Sequence, residues 1–213
     1  MFNNCNELTN GEFGFLESIK NEIHIIFDVG SRNDSLFTNM EKEVHYFDPN
    51  VSFLMELKSK PNNNSKSYFN DFGLSDKKGE LLYYDRFQSF VDRTLTCGPD
   101  NDTKILKIDT ALNYITDNKI KKIDFLKIDT EGHELSVVKG FGDKISIVNI
   151  IQFEYGGTFR DADIKLIDII DYLKSKNFEN FSYLTENGKI LIDNFDDHYN
   201  YCNIVCFNKN INY

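Results

Sequence analysis

The sequence predicts an α/β fold in which a mostly parallel sheet carries helices on both faces and ends in antiparallel C-terminal strands. Short apolar runs alternate with amphipathic stretches along the chain, which is the pattern of strands and helices in a parallel sheet. Acidic or small residues follow several of the apolar runs directly, as ligand-binding residues do in such sheets. The length of 213 residues suits one domain of this kind and is short for two.

The individual elements follow from hydrophobic periodicity and from turn residues. Strands are predicted over residues 23–29, 43–47, 67–72, 79–84, 123–128, 146–153, 181–184, 190–192 and 203–207. Helices are predicted over residues 12–22, 33–41, 51–59, 110–118, 132–139 and 163–176. Residues 86–104 are predicted to be a long loop, either a flap over the active site or a plain surface linker. One domain results, with an N-terminal helical extension (1–22), a ligand-binding core (23–176) and C-terminal strands (177–213).

Composition excludes several classes of function. The net charge of -10 argues against a nucleic-acid backbone as the main partner, because phosphate binding needs a basic stripe. No apolar run approaches the ~18 residues of a membrane span, and the first residues lack the charged start and apolar core of a signal peptide. Cys202 and Cys206 have no second ligand pair at zinc spacing, so no metal site is predicted. We therefore expect a cytoplasmic protein that binds neither nucleic acid nor membrane.

The first candidate site lies where the first strand ends, at Phe27-Asp28-Val29-Gly30-Ser31. Gly30 lets the backbone pass close to a ligand, and the small Ser31 keeps the path clear. The carboxylate of Asp28 is placed to pair with an ammonium group. A dinucleotide fingerprint uses three glycines around a pyrophosphate, whereas only Gly30 is present here, so a ligand without a pyrophosphate fits better.

A second acidic site follows the second strand. Asp48, 20 residues after Asp28, is placed to accept both ribose hydroxyls of an adenosine-bearing cofactor, a requirement that NAD and S-adenosylmethionine (SAM) share. Pro49 sets the turn into the next helix. After the third strand, Asp71 is predicted to meet the adenine amino group and Phe72 to pack on the ring, although a plain Asx turn explains this segment equally well.

Ionisable residues cluster after the strongly apolar strand at 123–128. Asp129, Glu131 and His133 follow it within a few residues, and burial beside an apolar strand would shift their pKa values. A helix N-terminus enriched in acids is the alternative explanation, and it accounts for Asp129 and His133 less well than for the acid at 134. Glu154 ends the next strand and is predicted either to face the same cleft or to be a turn residue.

Together these motifs resemble the FkbM family of SAM-dependent methyltransferases. The matching stretches are Phe-Asp-Val-Gly-Ser at 27–31, Phe-Asp-Pro at 47–49, Gly-Leu-Ser-Asp at 73–76, Leu-Lys-Ile-Asp-Thr-Glu-Gly-His-Glu at 126–134 and Gln-Phe-Glu-Tyr at 152–155. The resemblance implies a Rossmann-like class I methyltransferase fold and SAM as the cofactor, bound within residues 23–176. It also implies methyl transfer to a hydroxyl oxygen, commonly on a sugar or a polyketide-type natural product.

The resemblance assigns roles to residues as well. The residues that match the SAM-binding motifs are Asp28, Gly30 and Ser31 at the methionine end and Asp48 at the ribose. Asp129 and Glu131 match the acidic pair that lies beside the methyl group. The segment Arg32-Asn33-Asp34 departs from the family, which has a glycine-bearing turn there.

Methyl transfer to a hydroxyl requires positioning and removal of the hydroxyl proton. His133 or Asp129 is predicted as the general base, because histidine has a suitable unperturbed pKa and both residues lie beside the cofactor edge. Glu154 is predicted to orient the acceptor. A divalent ion at this acidic edge would lower the pKa of the acceptor hydroxyl, but the spacing of the residues does not require one.

Three functions compete at this stage. The leading hypothesis is an O-methyltransferase whose partner is a small-molecule or glycan acceptor. An NAD-dependent oxidoreductase on a Rossmann fold is disfavoured by the missing glycines. The third is a catalytically decayed SAM fold that serves as a binding module. The sequence reveals neither the identity of the acceptor nor whether the chain forms a homo-oligomer.

Overall fold

The computed structural model describes residues 2–210, which form one large mixed sheet, one small sheet and the helices packed on them. The strands are β1 (Ile25–Val29), β2 (Glu43–Phe47), β3 (Lys66–Asn70), β4 (Gly73–Leu74), β5 (Gly79–Tyr84), β6 (Thr103–Asp109), β7 (Ile123–Ile128), β8 (Val148–Tyr155), β9 (Phe178–Thr185), β10 (Gly188–Leu191) and β11 (Cys202–Asn208). The α-helices are α1 (Glu12–Ile19), α2 (Val51–Ser59), α3 (Thr94–Cys97), α4 (Ala111–Asp117), α5 (Glu134–Gly140), α6 (Gly157–Asp161) and α7 (Leu166–Ser175). No helix within residues 2–210 is long and apolar enough to cross a lipid bilayer.

The large sheet has the strand order β10-β9-β11-β8-β7-β1-β2-β3. The five strands from β3 to β8 in this order run parallel to one another. The C-terminal strand β11 lies antiparallel between β8 and β9, and β10 is antiparallel to β9. The prediction of a mostly parallel sheet with antiparallel C-terminal strands is therefore confirmed.

Helices cover both faces of the sheet because neighbouring residues of the central strands point in opposite directions and are buried on both sides. On one face Phe27 and Leu126 belong to the core that includes α4, α5 and α7. On the other face Ile26 and Phe125 pack with residues of α1 and α2. Apolar residues of α1, among them Phe15, are buried in this second core, so the N-terminal helix is an integral layer of the fold.

The structure differs from the prediction in several elements, since β4, α3, β6 and α6 were not predicted and one predicted helix is absent. The periodicity did not predict β6, which pairs with β4 and β5 in a separate three-stranded sheet. Most of its residues are exposed, so charged and apolar residues mix along it without the pattern of a buried strand. Residues 33–41, predicted as a helix, contain only the 3₁₀ turn Leu36–Asn39, which is capped by Ser35 and has one buried side chain, Phe37. One buried anchor is too little apolar surface to hold a longer helix.

The position of a ligand site follows from the strand order. The chain proceeds from β1 outward to β2 and β3, and then returns to the other side of β1 with β7 and β8. The order of the strands thus reverses between β1 and β7, and ligands of open α/β sheets bind outside the carboxyl ends of the strands at such a point. The segments that follow Val29 and Ile128 therefore flank the expected site.

A pair of glycines tests the packing of this fold. A Cβ at Gly140 would lie 2.0 Å from the backbone oxygen of Ser75, whereas a Cβ at Gly14 in α1 would meet nothing within 4 Å. Gly140→Ala should therefore lower the free energy of unfolding by about 1–3 kcal/mol, because α5 must move off the backbone beside β4. Gly14→Ala should raise it by up to about 1 kcal/mol through helix propensity. Urea denaturation measures both, and equal effects of the two substitutions would contradict the packing described.

Candidate active site

A cavity of about 630 Å³ opens at the carboxyl ends of β1, β7 and β8. The loop after β1 forms one wall, and the residues that follow β7 and β8 form the floor. The N-terminal segment 5–8 with Glu12 of α1 closes one side, and Tyr201, directly before β11, closes another. A cavity of this volume falls in the range of small-molecule and cofactor sites, about 300–1,000 Å³.

On the face covered by α1, three strands change from apolar to polar toward their carboxyl ends. Ile26, Phe125 and Ile150 lie abreast on β1, β7 and β8 and are fully buried. Two residues further along each strand, the same face carries the abreast residues Asp28, Lys127 and Gln152. The next row contains Gly30, Asp129 and Glu154. Because side chains alternate with a period of two along a strand, the three rows lie on one face of the sheet. The apolar row packs in the core with α1, and the later rows bring Asp28, Lys127, Asp129 and Glu154 to the cavity.

Lys127 is a buried cation at the centre of this surface, with 7% of its surface exposed. Its Nζ lies 2.9 Å from Oδ2 of Asp129 and 3.9 Å from Oε1 of Glu12. Burial disfavours the charged form, but Asp129, Glu12 and Asp28 outweigh it and raise the pKa of Lys127 well above its ordinary value. The ammonium is thus charged and holds together carboxylates from three separate elements.

Three carboxyl groups face one another beside Lys127. One oxygen from each of Asp129, Glu131 and Glu154 lies within 4.8 Å of the others. Burial, and then the charges of Asp129 and Glu131, raise the pKa of Glu154 well above its ordinary value. Although burial opposes it, Lys127 lowers the pKa of Asp129, which is hydrogen-bonded to Glu154. These opposite shifts favour the protonated form of Glu154 and the ionised form of Asp129.

Glu131 is held in a constrained conformation. Its φ of 54° lies in the left-handed region, and Gly132 follows with a φ of 101°. The Ser89 hydroxyl donates to the Glu131 carbonyl at 2.9 Å, and the Arg93 guanidinium lies 3.4 Å from its carboxylate. Such backbone conformations cost about 1–3 kcal/mol and persist where the surroundings fix them, often at functional sites. Here the segment 89–93 supplies the contacts that fix it.

The loop after β1 passes close to the end of β7. Gly30 has a φ of 79°, and a Cβ there would lie 1.9 Å from the carbonyl oxygen of Asp129, so no other residue fits. Arg32 also adopts a positive φ, 50°, and completes the turn without a second glycine. Burial raises the pKa of Asp28 to about 6, and the Ser35 hydroxyl donates to its carboxylate at 2.6 Å. The Ser31 hydroxyl is buried and has no hydrogen-bond partner among the described residues.

Asp48 lies beside a second, much smaller cavity of about 30 Å³, which adjoins the first and shares Gly30 and Asp129 with it. That volume accommodates one or two water molecules. The Asp48 carboxylate accepts the backbone N–H groups of Arg32 (3.0 Å) and Asn50 (2.8 Å), and burial raises its pKa to about 6. The ring of Phe90 lines this cavity and packs against Gly73, near Pro49.

His133 lines this smaller cavity and not the larger one. Its Nε2 lies 2.9 Å from the Ser75 hydroxyl, its ring packs near Phe90, and burial lowers its pKa to about 4. The neighbouring Glu134 accepts the N–H groups of Thr130 (2.8 Å) and Gly132 (3.0 Å), so its carboxylate stabilises the loop after β7. Of the predicted catalytic residues, the structure therefore brings Asp129, Glu131 and Glu154 together and places His133 apart from them.

The predicted cofactor residues are also distributed unevenly. Asp28, Gly30 and Ser31 line the larger cavity, and Asp48 and Pro49 line the smaller one. Asp71 is exposed and lines neither cavity, and Phe72 packs against Phe47 and Tyr114 instead of facing a site. The residues between 73 and 90 that do line the smaller cavity are Gly73, Leu74, Tyr83, Gln88, Ser89 and Phe90.

Sequence reasoning missed several residues of the larger cavity, among them Glu12, Lys127 and Tyr201. Lys127 had a signal, since a lysine interrupts the apolar run of β7 at a position that shares a face with Asp129. Glu12 and Tyr201 had none, because they reach the site only through the packing of α1 and the pairing of β11 with β8.

Comparisons with known proteins show the family and the fold of the chain. The family model of the methyltransferase FkbM domain matches residues 28–180. A methyltransferase FkbM structure from Methylobacillus flagellatus is similar over 86% of this chain, with 16% identity and a TM-score of 0.51, but this chain covers only 44% of that one. The plantazolicin methyltransferase BpumL, solved in complex with SAH, is similar over 95% of this chain and 83% of its own, with 8% identity and a TM-score of 0.52. At these identities the likeness shows a shared methyltransferase fold. No curated protein sequence matches the chain.

Substitution of Lys127 tests the charge arrangement. Lys127→Met should lower the free energy of unfolding by about 3–5 kcal/mol at pH 7, because it leaves buried carboxylates without their cation. Lys104→Met removes a half-exposed lysine that pairs with Asp85. This substitution should change the free energy of unfolding by less than about 1 kcal/mol. Urea denaturation compares the two variants, and a Lys127→Met protein as stable as the wild type would contradict the central role of this ammonium.

Proposed function

The chain belongs to the FkbM family of SAM-dependent methyltransferases, and we propose that it transfers a methyl group from SAM to a hydroxyl oxygen of a sugar, glycan or similar small acceptor. The observation that carries the proposal is the convergence of Asp129, Glu131 and Glu154 on the cavity that Asp28 and Gly30 also line. All four cysteines are free thiols, which suits a cytoplasmic setting.

The residues present fit SAM. The unpartnered Ser31 hydroxyl and the carboxylate of Asp28 would hold its amino-acid end, since one can hydrogen-bond the carboxylate and the other can pair with the ammonium. Asp48 would accept hydrogen bonds from the ribose hydroxyls. Because the space beside Asp48 is about 30 Å³, the ring of Phe90 would have to move aside for the adenosine. When bound, SAM supplies the electrophilic methyl group.

Residues of the chain must position the acceptor and remove the proton of its hydroxyl group. The Asp129–Glu154 pair lies on the floor of the larger cavity, where an acceptor hydroxyl can approach it. Glu154 is the stronger base of the pair once it is ionised, because its pKa is raised. We therefore assign the removal of the acceptor proton to Glu154. Asp129, which Lys127 holds in place, orients the Glu154 carboxylate. His133 is a weak base at a pKa of about 4 and is hydrogen-bonded to Ser75 in the other cavity.

The ribose role of Asp48 is tested by SAM binding. Asp48→Ala should weaken SAM at least about tenfold, since hydrogen bonds to a charged group contribute about 1.5–3 kcal/mol. Asp71→Ala is the matched control, because Asp71 follows the next strand but lines neither cavity, and it should leave the affinity unchanged. Isothermal titration calorimetry measures both, with thermal unfolding as the check on folding. Unchanged affinity in Asp48→Ala would contradict this role.

The role of Glu154 is tested by the pH dependence of kcat. The active form is ionised, and burial and then Asp129 and Glu131 raise the pKa of Glu154. Activity should therefore fall with decreasing pH through a value well above the ordinary range of a glutamate, about 4.3. Glu154→Gln should abolish this limb and lower kcat about 10²–10⁴-fold. Glu179→Gln, an exposed glutamate paired with Lys209, should keep the wild-type profile. A Glu154→Gln profile like that of the wild type would rule out this base.

A further inference from the structure

Tyr201 enters the larger cavity from outside the segment that matches the family, 28–180. Its backbone is fixed on both sides, since its N–H donates to Oδ1 of Asn3 at 2.9 Å and its carbonyl accepts the N–H of Asn3 at 2.8 Å. Its Cα also packs on Gly156, where a Cβ would come within 3.3 Å. The phenol is therefore held at a defined place on the cavity wall.

A buried chain of amides sets the direction of the Tyr201 hydroxyl. Nε2 of Gln152 donates to Oε1 of Glu12 (2.6 Å) and to Oδ1 of Asn203 (3.3 Å). Because the oxygen of Asn203 is occupied in this way, its Nδ2 faces Tyr201 and donates to the phenol oxygen at 3.4 Å. The hydroxyl thus acts as an acceptor toward Asn203, and its own proton is available to another partner. Within residues 2–210 no protein group accepts that proton.

The charges around the phenol keep this proton in place. Burial, and then the carboxyl groups of Glu154, Glu12 and Asp129, raise the pKa of Tyr201 above its ordinary value. The same carboxyl groups lie around Lys127 and include the Asp129–Glu154 pair. The ring of Tyr201 therefore occupies this part of the cavity. Tyr201 therefore stays protonated and can donate a hydrogen bond, and it lines the same cavity as the Asp129–Glu154 pair.

We propose that Tyr201 is an acceptor-binding residue whose hydroxyl donates a hydrogen bond to a second oxygen of the acceptor, next to the hydroxyl that is methylated. The inference rests on the proposed function and narrows it. The donor suits a polyhydroxylated acceptor with neighbouring oxygens, such as the vicinal diol of a sugar ring, and disfavours an acceptor with a single isolated hydroxyl. It also makes the N-terminal helix part of acceptor recognition, since Glu12 anchors the amides that orient Tyr201.

Tyr201→Phe removes the hydroxyl group, including the oxygen that accepts from Asn203, and keeps the ring. The probes are methyl glycosides of common hexoses, each with analogues that lack one ring hydroxyl, assayed with SAM labelled at its methyl group. For any glycoside that the wild type methylates, Tyr201→Phe should raise KM roughly three- to tenfold, the effect of one neutral hydrogen bond. The affinity for SAM should stay the same. One deoxy analogue, lacking the oxygen that Tyr201 contacts, should be methylated equally well by the variant and the wild type.

Tyr199→Phe is the matched control, because Tyr199 is a neighbouring tyrosine that does not line the cavity, and its kinetics should equal those of the wild type. An unchanged KM in Tyr201→Phe would overturn the inference while leaving the proposed function intact. An equal loss of SAM affinity would also overturn it, since Tyr201 would then contact the cofactor. If the wild type methylates none of the glycosides, the proposed sugar acceptor fails, and the role of Tyr201 fails with it.

Discussion

The structure depends on a buried ammonium group, that of Lys127, at the point where the strand order of the central sheet reverses. Lys127 lies abreast of Asp28 on the neighbouring strand and contacts Asp129 and Glu12, so its charge is balanced by β1, by the end of β7 and by the first residue of α1. A lone buried cation would cost several kcal/mol, and a well-surrounded one fixes its partners in place. Lys127 thereby connects the N-terminal helix, the first strand and the residues that follow β7.

The same cation determines how protons are distributed in the site. It keeps Asp129 ionised, and the ionised Asp129 in turn favours the protonated form of Glu154 beside it. Two carboxyl groups that face each other thus acquire different pKa values, which is the arrangement that separates acid and base roles at one pH. The left-handed Glu131 and the close approach of Gly30 to Asp129 bring the remaining groups to this edge. The chemistry of the cavity follows from the geometry of three strand ends.

The sequence predicted those features that are encoded locally. The parallel strands were visible as apolar runs, and Asp28, Asp48 and Asp129 were visible because each follows such a run directly. The exposed strand β6 lacked the pattern, since neither of its faces is uniformly buried.

Residues distant in the sequence could not be placed in the same way. Glu12 and Tyr201 are 189 positions apart (201 − 12) and meet only because α1 packs on the sheet and β11 inserts beside β8. His133 and Asp129 are close in sequence and both line the smaller cavity, yet after the turn through Glu131 and Gly132 only Asp129 also lines the larger one. Local spacing therefore identified the edge of the sheet but not which groups share one cavity.

A crystal structure of the protein with S-adenosylhomocysteine, the demethylated product of SAM, tests the central claim most directly. The ribose hydroxyls should lie about 3 Å from the Asp48 carboxylate, with the amino-acid end beside Asp28 and Ser31 and the sulfur facing the Asp129–Glu154 pair. The ring of Phe90 should have moved away from Gly73. A ligand bound elsewhere, or no bound ligand at millimolar concentration, would contradict the assignment of this cavity to methyl transfer.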